Sequence, residues 1–496
     1  MKSHNFALRV ALCMAVSIAA QLAVLQAQNP VPSATQPVAI ATVPLVYDPP
    51  DISLPLVRLS INGRAPALFL LSTGTPALMV IDAEKATTFG LDRRGNWATL
   101  RSVSLVDDKG RPLAKPELGI PAAYVANLQL HKLDLGLDIA GILGANFFAA
   151  VPVGFDLRNR VLKLYEGSFD FDALSREYVT VKLFRPNSGT WEHCAVVTVP
   201  PHQQVQLTIA TGAWMSTLAE RDLKGVEWVE FSHQTFPSMA SVEGKVQVVE
   251  KLLGRTQWIK IGEVLIREVP FTVTFEGASA LGMDILSLFD EFIVDLKTGH
   301  LLLRKPAGEL SGRIRGISGL RVEKETSGKA RVGEVFPASA AARAGFQRGD
   351  EIVAVSGRLT QGMSQGALQL LVDGYAGVAQ RIQIVRNGQQ MELTLVSESP
   401  FQQRASVTIQ LGTSRRLGFD AILVSCSNEQ YLLVTRIEQA HLKQAGLRVG
   451  DRIVSINDRS EWSVEDLRRL VEREAPLRLR VRALGESTER VVQLFP

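Results

Sequence analysis

The sequence predicts a mainly β protein in which two related β-rich halves precede two smaller α+β modules. Three observations predict this. Strand-like runs dominate the first half: Val57, Leu59 and Ile61 alternate with Arg58 and Ser60, and Asn62-Gly63 then marks a hairpin turn. Short landmarks recur there at nearly one spacing, the mark of a duplicated fold. Further on, the segment from Ala338 to Val353 recurs from Gln439 to Val454, an offset of 101 (439 − 338). At 496 residues the chain also exceeds what one hydrophobic core supports, given domains of roughly 100–200 residues.

The N-terminus reads as a targeting segment. Residues 1–27 open with Lys2 and Arg9, continue through an apolar run from Val10 to Leu25, and offer a small residue for cleavage at Ala27, the pattern of a secretory signal. A retained anchor is the competing reading, but the run is shorter than the ~20 apolar residues of a comfortable span and is broken by Ser17 and Gln21. Cys13 lies within the apolar run, which argues against lipid attachment there. We therefore expect an exported protein, periplasmic or extracellular, with no integral membrane span after signal removal. Residues 28–50, rich in Pro, Ala and Thr, read as an extended leader.

Charge and cysteines exclude several classes. Removing Lys2 and Arg9 takes the formal net charge from +4 to +2, too weak a balance to argue for nucleic acid. The remaining cysteines, Cys194 and Cys426, fall in different expected domains, so no disulfide framework is expected.

The repeats define the boundaries. Ser72-Thr73-Gly74 and Ala210-Thr211-Gly212 lie 138 apart (210 − 72), as do Leu143-Gly144 and Leu281-Gly282 (282 − 144). Phe155-Asp156 and Val294-Asp295 follow in the same order, 139 apart (295 − 156). These landmarks predict two homologous lobes, 51–180 and 181–306, and the second repeat predicts modules at 312–397 and 409–495. In each module a short helix, a glycine stop and a Gly-Asp turn lead into a strand.

On the two Thr-Gly turns, the paired apolar-apolar-Gly segments and the terminal Asp strands, the first half resembles the pepsin-like and retropepsin-like aspartic proteases. The resemblance implies a bilobal β fold with a peptide cleft. It implies that Gly144 and Gly282 belong to the strands threading the active-site loops, and that Thr73 and Thr211 hydrogen-bond across the lobe interface. Together with Gly74 and Gly212 these residues form the expected frame. The departure lies at Ser72 and Ala210, where the family carries its catalytic aspartates.

That chemistry needs two carboxylates sharing one proton, one activating water and the other polarising the peptide carbonyl. Serine has no accessible ionisation near neutral pH and alanine has no polar side-chain group. The chain contains neither Asp-Thr-Gly nor Asp-Ser-Gly, so no shift of register restores the pair. Asp82 and Asp284 read as solvent-facing or capping carboxylates, and Asp107-Asp108-Lys109-Gly110 as a polar turn. Ser72 as a nucleophile would need a positioned base; His131 and His193 read as ordinary solvated or core histidines. No group of His, Cys and acidic residues has metal-ligand spacing, so neither a metal nor a cofactor is expected.

The C-terminal pair resembles PDZ domains. Arg416-Leu417-Gly418-Phe419 stands close to the family's Gly-Leu-Gly-Phe loop, and Ala445 to Ile453 carries the Ala-Gly-Leu-x-x-Gly-Asp-x-Ile signature. Val464 and Leu467 begin the apolar stripe of a helix capped by Ser463. The first module departs from the pattern, and Gly319-Leu320 would have to serve in place of Gly-Phe. The resemblance implies strand addition of an extended peptide whose terminal carboxylate meets successive N–H groups of the loop, with glycine allowing close approach.

These readings lead us to expect an exported, catalytically silent aspartic-protease-like protein that binds polypeptides or protein C-termini as scaffold, adaptor or sensor. Two alternatives stay open: an aspartyl-type endopeptidase with unconventional catalytic residues that recruits substrates through its PDZ domains, and a structural module of the cell envelope.

Overall fold

In a computed structural model of the protein, the residues described are 38–46, 54–107, 109–128, 138–186, 192–223, 226–237, 248–274, 278–325, 327–361, 363, 365–401, 419–426, 429–437, 439–460, 476–483 and 488–494. The fold is mainly β, as expected, and the strands among the described residues form five sheets. The expected signal, residues 1–27, lies outside the described residues.

A six-stranded sheet holds the two halves together. Its order is Val38–Pro44, Val161–Glu166, Val153–Asp156, Glu291–Asp295, His300–Arg304 and Tyr178–Lys182. At its centre the terminal Asp strands of the two halves run antiparallel, Val153 opposite Val294 and Phe155 opposite Phe292. The two phenylalanine rings stack with centroids 4.5 Å apart, both fully buried. Val38–Pro44 falls in the stretch expected to be a leader, yet it pairs with Val161–Glu166 and buries Val43, so it belongs to this sheet.

Each half adds its own sheet, nine strands in the first and eight in the second. Leu56–Ile61 pairs antiparallel with Ala67–Leu71 through a loop that begins at Asn62-Gly63. Both residues take positive φ, 51° and 69°, which suits Asn and Gly and fixes the turn. In Ala67–Leu71, Phe69 and Leu71 enter the main core while Leu68 and Leu70 join a separate apolar cluster, the period-two consequence of a strand buried on both faces.

The last two sheets form the C-terminal modules. The first comprises Leu320–Lys324, Ala330–Val335, Glu351–Val355, Ala379–Arg386 and Gln389–Val396, with the short Arg358–Leu359 paired to Glu351–Val355 and with helices Ala340–Arg343 and Gln365–Asp373. The second comprises Phe419–Cys426, Glu429–Ile437, Asp451–Ile456, Leu477–Ala483 and Glu489–Leu494, with helix Ala440–Gln444. One staple recurs in both. Asp350 accepts from the Gln347 N–H and pairs with Arg386, which also donates to the Gly345 carbonyl. Asp451 accepts from the Arg448 N–H and pairs with Arg490, which donates to the Gly446 carbonyl. The repeated Gly-Asp thus anchors a turn to the penultimate or final strand, a charge-assisted contact that the repeated sequence already encodes.

The second module packs on the second half: Tyr431 and Leu433 share the core of Trp228 and Phe231. Among the described residues no helix is long and apolar enough to cross a membrane.

Candidate functional site

Two strands, Ala67–Leu71 and Gln203–Ile209, deliver the two Thr-Gly turns to one place. The Thr73 N–H donates to Thr211 Oγ1 (3.1 Å) and the Thr211 N–H donates to Thr73 Oγ1 (3.1 Å). Each hydroxyl then donates onward across the interface, Thr73 to the Ile209 carbonyl (2.5 Å) and Thr211 to the Leu71 carbonyl (2.9 Å). Two hydroxyls therefore satisfy two buried N–H groups and two carbonyls in a near-symmetric lock, with Thr211 fully buried.

The threading strands complete the frame. Ile139–Leu143 runs parallel to Ala67–Leu71, and the Leu143 carbonyl accepts from the Ser72 N–H (2.8 Å). Ala280–Leu281 runs parallel to Gln203–Ile209, and the Leu281 carbonyl accepts from the Ala210 N–H (3.0 Å). A Cβ on Gly144 would lie 2.3 Å from the Ala77 carbonyl oxygen, and one on Gly282 would lie 2.7 Å from the Met215 carbonyl carbon. Both contacts are with backbone, so glycine is dictated by close approach.

Ser72 and Ala210 sit side by side at the base of this frame, 7% and 8% exposed. A Cβ on Gly74 would find Ala210 Cβ at 3.8 Å and Ser72 Oγ at 3.9 Å, whereas one on Gly212 would collide with Ser72 Oγ at 2.4 Å. Ser72 Oγ accepts from Thr75 Oγ1 (3.0 Å). The base of the site is neutral: neither side chain holds a proton that titrates near neutral pH. His193 is buried and its Nε2 accepts from Arg185 Nε (3.2 Å); His131 lies outside the described residues.

The acids weighed from sequence have structural work. Asp82 is buried and caps the helix Ala83–Thr88 through the Glu84 N–H, as a capping carboxylate should. Asp284 is neither of the expected things, solvent-facing or a helix cap: its carboxyl is buried, and Gly282 stands at the cap of Met283–Leu286. Its Oδ1 accepts from the Ser216 N–H and hydroxyl and from the Ile285 N–H, while its Oδ2 is buried without a hydrogen-bond partner among the described residues. Burial pushes its carboxyl up to about 6 against those bonds. Ser216 in turn accepts from the Gly282 N–H, so this acid positions the threading strand.

The strand leading to Ser72 also contributes to an apolar wall, the buried cluster of Leu54, Leu56, Leu68, Leu70 and Ile139, against which the partly buried Ile142, Trp214 and Leu370 pack. Trp214 and Leu370 escaped the sequence reading. Trp214, two residues past Gly212, could have been noticed; Leu370 belongs to the helix Gln365–Asp373 and comes close only through the tertiary fold. Among the described residues no group of three or more His, Cys, Asp or Glu side chains could hold a metal ion.

The expected peptide-binding residues are only partly in view. Gly319 has a φ of 74°, the left-handed region, and a Cβ there would lie 2.1 Å from Ser339 Cβ. Leu320 is buried at the start of Leu320–Lys324, and Phe419 is buried at the start of Phe419–Cys426, opposite Ile437. Leu417, Gly418, Val464 and Leu467 lie outside the described residues.

No curated protein matches the chain. Among solved structures, a photosystem II D1 C-terminal processing protease is 24% identical over 17% of this chain and 23% of its own, with a TM-score of 0.16. An aminopeptidase N family protein from Idiomarina loihiensis is 23% identical over 19% of this chain and 15% of its own, with a TM-score of 0.16. An HtrA-type protease with a decapeptide is 13% identical over 46% of this chain and 80% of its own, with a TM-score of 0.17. The chain thus spans less than a quarter of the first two, and likenesses of this size say nothing about activity. The family model of the PDZ domain matches residues 442–482, and the chain therefore carries a PDZ domain within the second C-terminal module.

Proposed function

We propose that the protein is an exported, catalytically silent relative of the aspartic proteases that binds polypeptides or protein C-termini, through its cleft and its PDZ domain, as a scaffold, adaptor or sensor. One observation carries the reading. The cross-bonded Thr73 and Thr211 and the close-packed Gly144 and Gly282 keep the frame of a two-carboxylate site, while the two positions for the carboxylates hold Ser72 and Ala210. The PDZ domain supports the second half of the proposal, since such domains add an extended peptide to a sheet edge.

The test pairs the natural protein with a Ser72→Asp, Ala210→Asp variant. Both are incubated with unfolded casein between about pH 3 and 8, the range over which a shared-proton carboxylate pair titrates and acts. We expect no cleavage by the natural protein and measurable cleavage by the variant at acidic pH. Cleavage by the natural protein that copurifies with it through size exclusion, and is lost on Ser72→Ala, would overturn the reading.

A further inference from the structure

The helix Gln365–Asp373 of the first C-terminal module has its residues committed on three sides. Ala367, Leu368, Leu371 and Val372 enter the module's core. Gln369 and Asp373 are four residues apart and so share one face, linked by a bond from Gln369 Nε2 to Asp373 Oδ2 (3.1 Å). That face lies against the strand Leu320–Lys324 and the loop before it, where the PDZ resemblance places a peptide.

Both side chains bond the backbone groups that strand addition would use. Gln369 Nε2 donates to the Leu320 carbonyl (2.8 Å) and its Oε1 accepts from the Val322 N–H (3.0 Å). One side-chain amide thereby occupies the carbonyl of residue 320 and the N–H of residue 322, two main-chain groups on the edge to which a strand would be added. In the loop, Asp373 Oδ1 accepts from the Ser318 N–H (3.2 Å) and hydroxyl (2.5 Å), and Ser318 Oγ accepts from the Leu320 N–H (3.1 Å). A carboxylate of the chain itself thus holds the loop that would receive a ligand's terminal carboxylate.

The remaining side of the helix faces the first half. Leu370 packs in the apolar wall with Leu70, Ile142 and Trp214. Arg315 donates to the Leu370 carbonyl (3.2 Å) and lies over the rings of Tyr375 (4.9 Å) and Trp214 (6.0 Å). Cation–ring contacts of this kind favour a fixed placement.

We infer that Gln369 and Asp373 act as an internal ligand that closes the groove of the first module to peptides, leaving the module to brace the apolar wall on the strand leading to Ser72. Capture of chain ends then falls to the PDZ domain of the second module. The inference rests on reading 312–397 as a PDZ-like module. Its test reads backbone amides of that module, so failure of the second module to bind peptide would leave it standing.

The experiment is hydrogen exchange on the full-length protein, read at the Val322 amide. In Gln369→Leu, and in the milder Gln369→Met, Val322 should exchange at least about tenfold faster, the consequence of losing one buried acceptor. Val332, whose N–H donates to the Asp350 carbonyl, should keep its rate. Unchanged exchange at Val322 in both variants would overturn the assignment. A second arm needs no variant: decapeptides ending in free Val, Leu, Phe or Ala are added to the natural protein. Exchange across residues 318–322 should not change; slowing there by free-acid but not amidated peptides would also overturn it.

Discussion

At the scale of single residues, the site is defined by what a methyl group or a hydroxyl can do. Gly212 has an ordinary φ, so a side chain there is refused only by space, and the space is taken by Ser72 Oγ, 2.4 Å from a Cβ at that position. Gly212→Ala should destabilise the protein by about 1–3 kcal/mol, the usual range for overpacking. Adding Ser72→Gly removes the colliding atoms, and the pair should recover most of the loss in urea denaturation; purely additive losses would show that the two turns do not touch. Thr211→Val keeps the shape but leaves the Thr73 N–H without its acceptor, an expected loss of about 1–3 kcal/mol on the same measurement. The sequence made these residues legible because the chemistry of a Thr-Gly turn is local. It made Gln369, Asp373 and Trp214 illegible because their partners lie far along the chain.

At the scale of elements, the two threading strands do the same job with different supports. In the first half the Gly144 N–H donates to the Leu78 carbonyl, whereas in the second the Gly282 N–H donates to the Ser216 hydroxyl, itself held by Asp284. The repeated Leu-Gly predicts both strands, but the acid behind the second reads from sequence as a solvent-facing or capping carboxylate, because its desolvation comes from packing that one sequence does not display. Its folded-state carboxyl, at about 6, lies above the ordinary value of about 3.9. The folded state therefore holds the proton more tightly than the unfolded state, and Asp284 makes stability fall as pH rises from about 4 to about 6. Urea midpoints across that window should show the fall in the natural protein and a flatter profile in Asp284→Asn. An unchanged slope would mean that the carboxyl does not titrate there. The expected leader marks the opposite case at this scale: Val38–Pro44 has the β-branched residues of a strand, but nothing local names Val161–Glu166 as its partner.

At the scale of the whole molecule, the two halves are joined by more than the threonine lock, because they share a sheet with a charged cluster on it. Glu291 is buried and accepts from Lys163 Nζ (2.9 Å), Tyr178 Oη (2.7 Å) and Arg304 (3.0 Å), and Lys163 also pairs with Asp156 (2.8 Å). Burial alone would pull the Lys163 ammonium down, but its bonds to Asp156 and Glu291 outweigh this and hold it above the ordinary lysine range. The same opposition acts on Asp156: burial raises its carboxyl, and bonds from Lys163 and Asn159 bring it below the usual range. One carboxylate of the second half thus gathers two donors, Lys163 and Tyr178, from the first beside Arg304 of its own, and the halves should unfold together. Glu291→Gln keeps the shape and removes the charge, with an expected loss of about 1.5–3 kcal/mol for bonds to a charged group, tempered by the partial exposure of Lys163 and Arg304. Exchange mass spectrometry along a urea series should show segments 153–166 and 291–304 losing protection at one midpoint, displaced equally in the variant. A displacement confined to one segment would mean that the shared sheet does not couple the halves, and that the neutral base between the two turns is held by the threonine lock alone.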